Sequence, residues 1–356
     1  MFERRILDIA QALEKGQAAF ITSDANRFYL TGFNSSAGCV VVTKDSAYFL
    51  IDFRYFEKAK ISVKSCKTVL LENLSRNLSE IFKKHNIEYL YVETQSVSYN
   101  DFNRYSKMFE GVEISRENTL DILLEKMRSH KSFEELENIK SAQELTDKTF
   151  SYILDRITVG KTEREIMLDM EFFMRKQGSE GVSFDFIVVS GKNSSLPHGV
   201  PTDKQIEKGD FVTMDFGAVA NGYRSDMTRT VAVGGVTDEQ KKVYNTVLSA
   251  QSAALNEICA GKICKDIDAV ARSIINNAGY EGCFGHGLGH SVGIEIHENP
   301  AFNTRCETVL ENGMIMTVEP GIYIENKFGV RIEDMVYVTE NGYINLTKSP
   351  KELIVL

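Results

Sequence analysis

Four carboxylates stand inside runs that otherwise read as buried β-strands: Asp215 in FVTMDFG, Asp226 in RSDMTRT, Glu319 in MTVEPG and Glu333 in GVRIEDM. An unpaired carboxylate in an apolar setting costs several kcal/mol, so each of these needs a partner. Strand alternation puts Phe211, Thr213 and Asp215 on one face. Asp226 follows eleven residues later, a spacing that a short hairpin brings opposite Asp215. The glycines of GIYIENKFG allow the chain to turn back between Glu319 and Glu333, so the four carboxylates can share one site.

Four clustered negative charges repel or take up protons, and two divalent cations resolve the conflict by neutralising them. The histidine pattern points the same way. Four of the six histidines, His198, His286, His290 and His297, fall within a hundred residues beside glycine or proline. His290 in GHGLGH is the best nitrogen ligand, because the flanking glycines let the backbone approach a metal closely. A donor set of mostly oxygen suits Mn(II), with Co(II), Fe(II) or catalytic Zn(II) as alternatives, and the lack of cysteine ligands argues against a structural zinc. Two such ions can hold a bridging hydroxide and polarise a peptide carbonyl, which is the chemistry of amide hydrolysis. Taken singly, Asp215 reads equally well as an edge residue facing water, and His286 or His290 as a turn histidine.

At 356 residues with 43% apolar content, the chain is long enough for two domains with real cores. A net charge of −9 without a dense basic run speaks against nucleic acid as a partner. No segment reaches the apolar length that spans a bilayer, and the N-terminal MFERRILDIAQALEKG reads as an amphipathic helix rather than a signal peptide. The six cysteines lack paired spacing and read as reduced thiols, so the expected location is the cytoplasm.

Residues 1–125 alternate helical segments with short apolar runs (18–22, 39–43, 47–52, 89–93), the mark of a smaller N-terminal α/β domain. The charged stretch 125–140 opens a second domain over 126–356. There, Thr162 with Glu165 and Thr237 with Gln240 have capping-box spacing, with Gly178 and Gly261 past the helix ends. Strand-like runs at 185–190, 211–216, 227–233, 314–319 and 330–339 predict helices packed on a largely antiparallel sheet, an α+β fold. His85 and His130 read as solvated surface residues, and Asp52, Arg54 and Tyr55 as a strand end followed by a helix cap.

The ordered set HGV at 198–200, MDFGA, RSDMTRT, GHGLGH with IHENP, MTVEPG and VRIED resembles the pita-bread metallopeptidases, the creatinase/aminopeptidase-like family. It is most similar to Xaa-Pro aminopeptidase and prolidase, strongly from about residue 130 onward and more weakly through NRFYLTGF and IDFRYFEKA in the N-terminal domain. The resemblance implies that Asp215, Asp226, His290, Glu319 and Glu333 bind two metal ions, with Asp226 and Glu333 bridging. It assigns His198 and His297 to substrate and transition-state contacts, with His286 in the same neighbourhood, and Arg331 to supporting the ligand carboxylates and bound peptide. It further gives Glu319 the proton shuttle to the leaving nitrogen, short peptides with proline second as substrates, and a homodimer.

The leading expectation is an Xaa-Pro aminopeptidase; the alternative is a prolidase restricted to dipeptides. Roughly 125 residues ahead of the second domain argue against methionine aminopeptidase. A non-catalytic peptide-binding homologue, or a metal-free hydrolase, should have lost ligands, and all five positions here carry the expected residue type.

Overall fold

The run CVVVT is apolar at every position because it becomes an interior strand covered on both faces, where alternation is not required. The computed structural model describes residues 1–356, which divide into two units, Met1–Arg128 and Ser129–Leu356.

The first unit runs α1 (Phe2–Ala12), β1 (Gln17–Ile21), α2 (Asp24–Thr31), β2 (Cys39–Thr43), β3 (Ala47–Ile51), α3 (Phe53–Ser62), β4 (Lys67–Leu70), α4 (Leu74–His85), β5 (Tyr89–Val92), α5 (Tyr99–Met108) and β6 (Glu113–Ile114), with α6 (Thr119–Ser129) at the junction. Its six strands form one mixed sheet in the order β4-β3-β2-β1-β5-β6. The β1–β2 and β2–β3 pairs are antiparallel and the others parallel. Phe20, Val41, Leu50 and Leu90 of the sheet bury Leu78 and Phe82 of α4 and Tyr105 of α5. Asp52 follows β3 directly and caps α3, its carboxylate accepting the Arg54 amide at 2.9 Å. His85 departs from the surface expectation: it is half-buried, and its Nε2 lies 2.8 Å from the Tyr48 hydroxyl.

The second unit runs α7 (Phe133–Leu154), α8 (Glu163–Lys176), β7 (Ile187–Ser190), β8 (Phe211–Phe216), β9 (Val219–Ala220), β10 (Tyr223–Arg224), β11 (Met227–Ala232), α9 (Asp238–Asn256), α10 (Cys264–Ile275), β12 (Gly289–Ser291), β13 (Glu298–Phe302), β14 (Ile315–Val318), β15 (Gly321–Ile324), β16 (Phe328–Arg331), β17 (Asp334–Thr339) and β18 (Gly342–Asn345). Every strand pairing in these sheets is antiparallel. The order is β11-β8-β7 in one sheet and β13-β12-β14-β17-β18 in the other, with two-stranded ribbons β9–β10 and β15–β16.

Each sheet carries its own helix pair. Phe150, Ile153, Ile166, Met170 and Met174 of α7 and α8 pack on Val188, Met214, Phe216 and Val231. Val243, Val247, Ile267 and Ala271 of α9 and α10 belong to a second core with Met316, Val318, Val336 and Val338. The capping boxes at Thr162 and Thr237 form, as does one at Ser132 with Glu135 that starts α7. All six cysteines are unpaired.

The run 330–339 is not one strand. Arg331 pairs with Gly321 in the ribbon, whereas Asp334 pairs with Val318 in the five-stranded sheet, so the chain changes partners at Ile332 and Glu333. The Glu333 amide donates to the Thr228 carbonyl at 3.1 Å, which ties this break to β11. His130 also departs from expectation: it is half-buried, with Ser129 Oγ at 3.0 Å and a Glu311 oxygen at 3.2 Å.

Candidate metal centre

The strand breaks place the candidate ligands together. Asp215 stands opposite Thr228 across the β8–β11 ladder, and Asp226, just before β11, lies diagonally from it on the same face. Glu319 follows the last residue of β14, and Glu333 sits at the ribbon-to-sheet break. His290 is central in β12, where a Cβ on its neighbour Gly289 would fall 2.0 Å from the Thr317 carbonyl oxygen. Only glycine permits that approach, which lets Thr317 Oγ1 accept the His290 amide at 3.0 Å.

One cleft of about 810 Å³ is lined by all nine residues singled out from the sequence, namely Asp215, Asp226, His290, Glu319, Glu333, His198, His286, His297 and Arg331. Ligand atoms of Asp226, His290 and Glu333 lie within 4.8 Å of one another. Asp215 and Glu319 stand outside that tight trio, with Glu319 Oε1 3.6 Å from His290 Nε2 and Asp215 Oδ2 2.6 Å from Arg331 Nη2.

The protonation pattern fixes the charge of the centre. His290 Nδ1 faces the Ser291 carbonyl oxygen at 3.1 Å, an acceptor only, so Nδ1 carries the proton and Nε2 presents a lone pair. That lone pair points toward Asp226 Oδ2 at 3.5 Å and Glu319 Oε1 at 3.6 Å. Burial, helped by His297, holds the His290 pKa down at about 4, so the ring does not supply a positive charge at neutral pH. Asp215 Oδ1 and Glu333 Oε1 are buried without a hydrogen-bond partner.

The carboxyls show the complementary effect. Burial first, then the charges of Glu333, Asp215 and Glu319, pushes Asp226 well up. Burial and then Glu319 and Asp215 do the same to Glu333. Glu319 rises to about 8, chiefly through burial, with Arg331 opposing and Asp215 adding to the shift. Unshared acceptors on three side chains, His290, Asp215 and Glu333, converging in one buried place fit divalent cations.

Around the centre, Arg331 donates to Asp215, to the Tyr323 hydroxyl at 2.8 Å, to Thr228 Oγ1 at 3.0 Å and to the Pro197 carbonyl at 3.2 Å. Thr228 Oγ1 in turn donates to Glu333 Oε2 at 2.8 Å. His286 Nδ1–H donates to the Gly287 carbonyl at 2.8 Å, so its Nε2 accepts from the Tyr323 hydroxyl at 2.9 Å. Burial, followed by the Arg331 charge, lowers the His286 pKa to about 4. His198 and His297 are exposed at the cleft, and the His297 ring meets the His290 ring edge to face with centroids 4.5 Å apart.

Tyr323 and Thr228 were not singled out from the sequence. Thr228 shares the strand face of Asp226 by simple alternation, a signal that was present. Tyr323 lies in GIYIENKFG between Glu319 and Glu333, and only the β15–β16 ribbon shows that it turns toward Arg331.

The site and fold define a metallopeptidase, and sequence comparison places it. Residues 137–340 match metallopeptidase family M24 and residues 5–130 match the creatinase/prolidase N-terminal domain; the chain belongs to family M24. Among its relatives, the Xaa-Pro dipeptidase of Pyrococcus furiosus is 40% identical over 94% of each chain. A solved structure described as an Xaa-Pro dipeptidase from Bacillus anthracis is 41% identical, with a TM-score of 0.95 and full coverage of both chains. A structure described as an X-Pro aminopeptidase from Thermotoga maritima is 36% identical, with a TM-score of 0.91, covering 98% of this chain and 100% of that one. The second unit thus has the pita-bread fold of prolidase structures.

Proposed function

We propose that this chain is a proline-directed peptidase that releases the residue preceding proline, acting on Xaa-Pro dipeptides. The observation that carries the hydrolytic reading is the convergence of the His290 lone pair and the unshared oxygens of Asp215 and Glu333 at the floor of one cleft. The dipeptide preference rests on the names of relatives 40% and 41% identical over nearly the whole chain, and it replaces the longer-peptide aminopeptidase as the leading reading. The aminopeptidase stays as the second reading, favoured by the likeness to the Thermotoga maritima structure.

In this proposal Asp215, Asp226, His290, Glu319 and Glu333 hold two divalent ions, and the oxygen-rich set supports Mn(II) over softer metals. Bound there, the ions supply Lewis acidity for the scissile carbonyl and ease ionisation of the attacking water.

The remaining work falls to the protein. The amide nitrogen must gain a proton to leave as an amine, and the Glu319 carboxylate, which lines the cleft beside His290, takes the role of shuttling it there from the attacking water. His198 and His297 contact the substrate from the cleft wall. Phe184, Ile187, Val200 and Ile296 offer apolar surface for the pyrrolidine ring. Six free thiols support a reducing, cytoplasmic setting, and the homodimer rests on the family resemblance.

Purified protein with Mn(II), and with chelator as control, should be assayed on Ala-Pro, Ala-Pro-Ala and Ala-Ala-Ala. Cleavage of Ala-Pro alone supports the dipeptidase, and cleavage of both proline peptides supports the aminopeptidase. Inactivity of the metal-loaded protein on all three overturns the enzymatic reading.

A further inference from the structure

Lys131 belongs to the charged stretch that opens the second unit, yet its side chain is only 1% exposed. Its Nζ lies 3.1 Å from Glu298 Oε2, whose side chain is 5% exposed, and 3.0 Å from Ser291 Oγ. Burying both charges costs desolvation that an apolar pair of similar volume would not, so such a pair is a poor way to gain stability alone. What it holds in place is the more informative question.

Glu298 Oε1 accepts the amides of Ile294 at 3.0 Å and Glu295 at 3.2 Å, so the carboxylate anchors the segment that leads to His297. The approach is possible because residue 293 is glycine: a Cβ there would fall 2.5 Å from Glu298 Oε2. From the other side, Arg224 gives its amide to the Gly293 carbonyl and its Nε to the Ile294 carbonyl, both at 2.9 Å. The Arg224 guanidinium also reaches the Ser183 carbonyl. The backbone carrying His297 is therefore fixed on both sides.

The second contact of Lys131 is with the residue that follows the other histidine. Ser291 follows His290 directly, and its carbonyl accepts the His290 Nδ1–H. The ion pair thus touches the residue after His290 and is formed by the residue after His297, while the two rings pack together. We propose that the Lys131–Glu298 ion pair is a positioning device: it orients the Ser291 peptide so that His290 keeps its proton on Nδ1 and its Nε2 bare toward Asp226 and Glu319, and it sets His297 beside it. This inference rests on the metallopeptidase reading of the cleft.

The test uses the full chain with Lys131→Met, Glu298→Gln and the double variant. Ring ¹⁵N spectra of histidine-labelled, metal-free protein report the His290 tautomer, electron paramagnetic resonance of free Mn(II) reports affinity, and thermal melting reports stability. The expected result for the single variants is loss of the pure Nδ1–H tautomer at His290 and Mn(II) binding weakened by about 10- to 100-fold. The double variant leaves no lone buried charge and so keeps the test alive where a single variant does not fold. In it the tautomer should still be mixed and Mn(II) affinity still down by roughly ten-fold, because Ser291 has lost its partner. Folded variants with lower melting temperature but wild-type ring spectra and affinity would overturn the proposal and make the pair purely structural. Wild-type protein that binds no Mn(II) would instead refute the metallopeptidase reading, and the metal-free ring spectra would still decide the positioning role.

Discussion

Arg331 Nη2 lies 2.6 Å from Asp215 Oδ2, a contact in which the arginine side chain is 4% exposed and the aspartate 13%. The pair leaves Asp215 Oδ1 free toward the cleft, so the guanidinium decides which carboxylate oxygen is available. Removing one member of such a pair strands the other charge. Arg331→Gln should lower kcat/KM on Ala-Pro by about 10- to 100-fold with Mn(II) saturating, as is typical for groups that orient metal ligands. Steady-state kinetics on the folded variant checks it, and unchanged kinetics would remove Arg331 from the site's function.

Tyr323 connects two other parts of the network, donating to His286 Nε2 and accepting from Arg331 Nη1. Tyr323→Phe leaves both without their partner, at a cost of about 1–3 kcal/mol for unsatisfied buried groups. Expected are a lower melting temperature and a roughly ten-fold loss of kcat/KM. Calorimetry and the Ala-Pro assay together test this.

The metal-free protein should lose stability as pH rises. Glu319 titrates at about 8 in the fold, against an ordinary value of 4.5, so between those pH values the folded state holds a proton that the unfolded state has released. Folding stability contributed by this group is complete below about pH 4.5 and declines up to about pH 8, and Asp226 and Glu333 shift in the same direction. Melting temperatures of chelator-treated protein should fall over this window. Saturating Mn(II) should flatten the profile and stabilise by about 2.7 kcal/mol at a hundred times Kd. A metal-free profile that rises from pH 5 to 8 would contradict the buried-carboxylate account.

Asp334 behaves oppositely. Burial alone would raise its pKa, but Arg229 at 2.7 Å and Lys351 at 2.6 Å outweigh it and hold the carboxyl below its ordinary 3.8. Its contribution is present above pH 3.8 and lost as the pH falls through the lower folded value. Asp334→Asn strands the buried Arg229 cation and takes one partner from the partly exposed Lys351, and should destabilise by about 3–5 kcal/mol at pH 7. Urea midpoints at pH 7 and at pH 3 check it: the gap between variant and wild type should narrow at the lower pH.

The candidate site was unusually legible because its chemistry conflicts with its surroundings. Asp215, Asp226, Glu319 and Glu333 stand in apolar runs, and shared cations reconcile their charges with burial, so the sequence pattern itself carries the inference. Helix starts were readable for a similar reason, since Thr162 with Glu165 and Thr237 with Gln240 act over three residues. Long-range pairing was not. Nothing local in 330–339 shows that Arg331 and Asp334 pair with different strands, and nothing in EKMRSHK marks Lys131 for burial. The partial burial of His85 and His130 is hidden from the sequence on the same ground, because Tyr48 and Glu311 reach them from 37 and 181 residues away.

The most direct test of the account is the number of Mn(II) ions bound per chain, measured by equilibrium dialysis and elemental analysis on wild type and on His290→Ala. About two ions for the wild type and no more than one for the variant is the result expected of a five-ligand, two-metal centre. Wild type without bound metal, or the same content in both proteins, would contradict it.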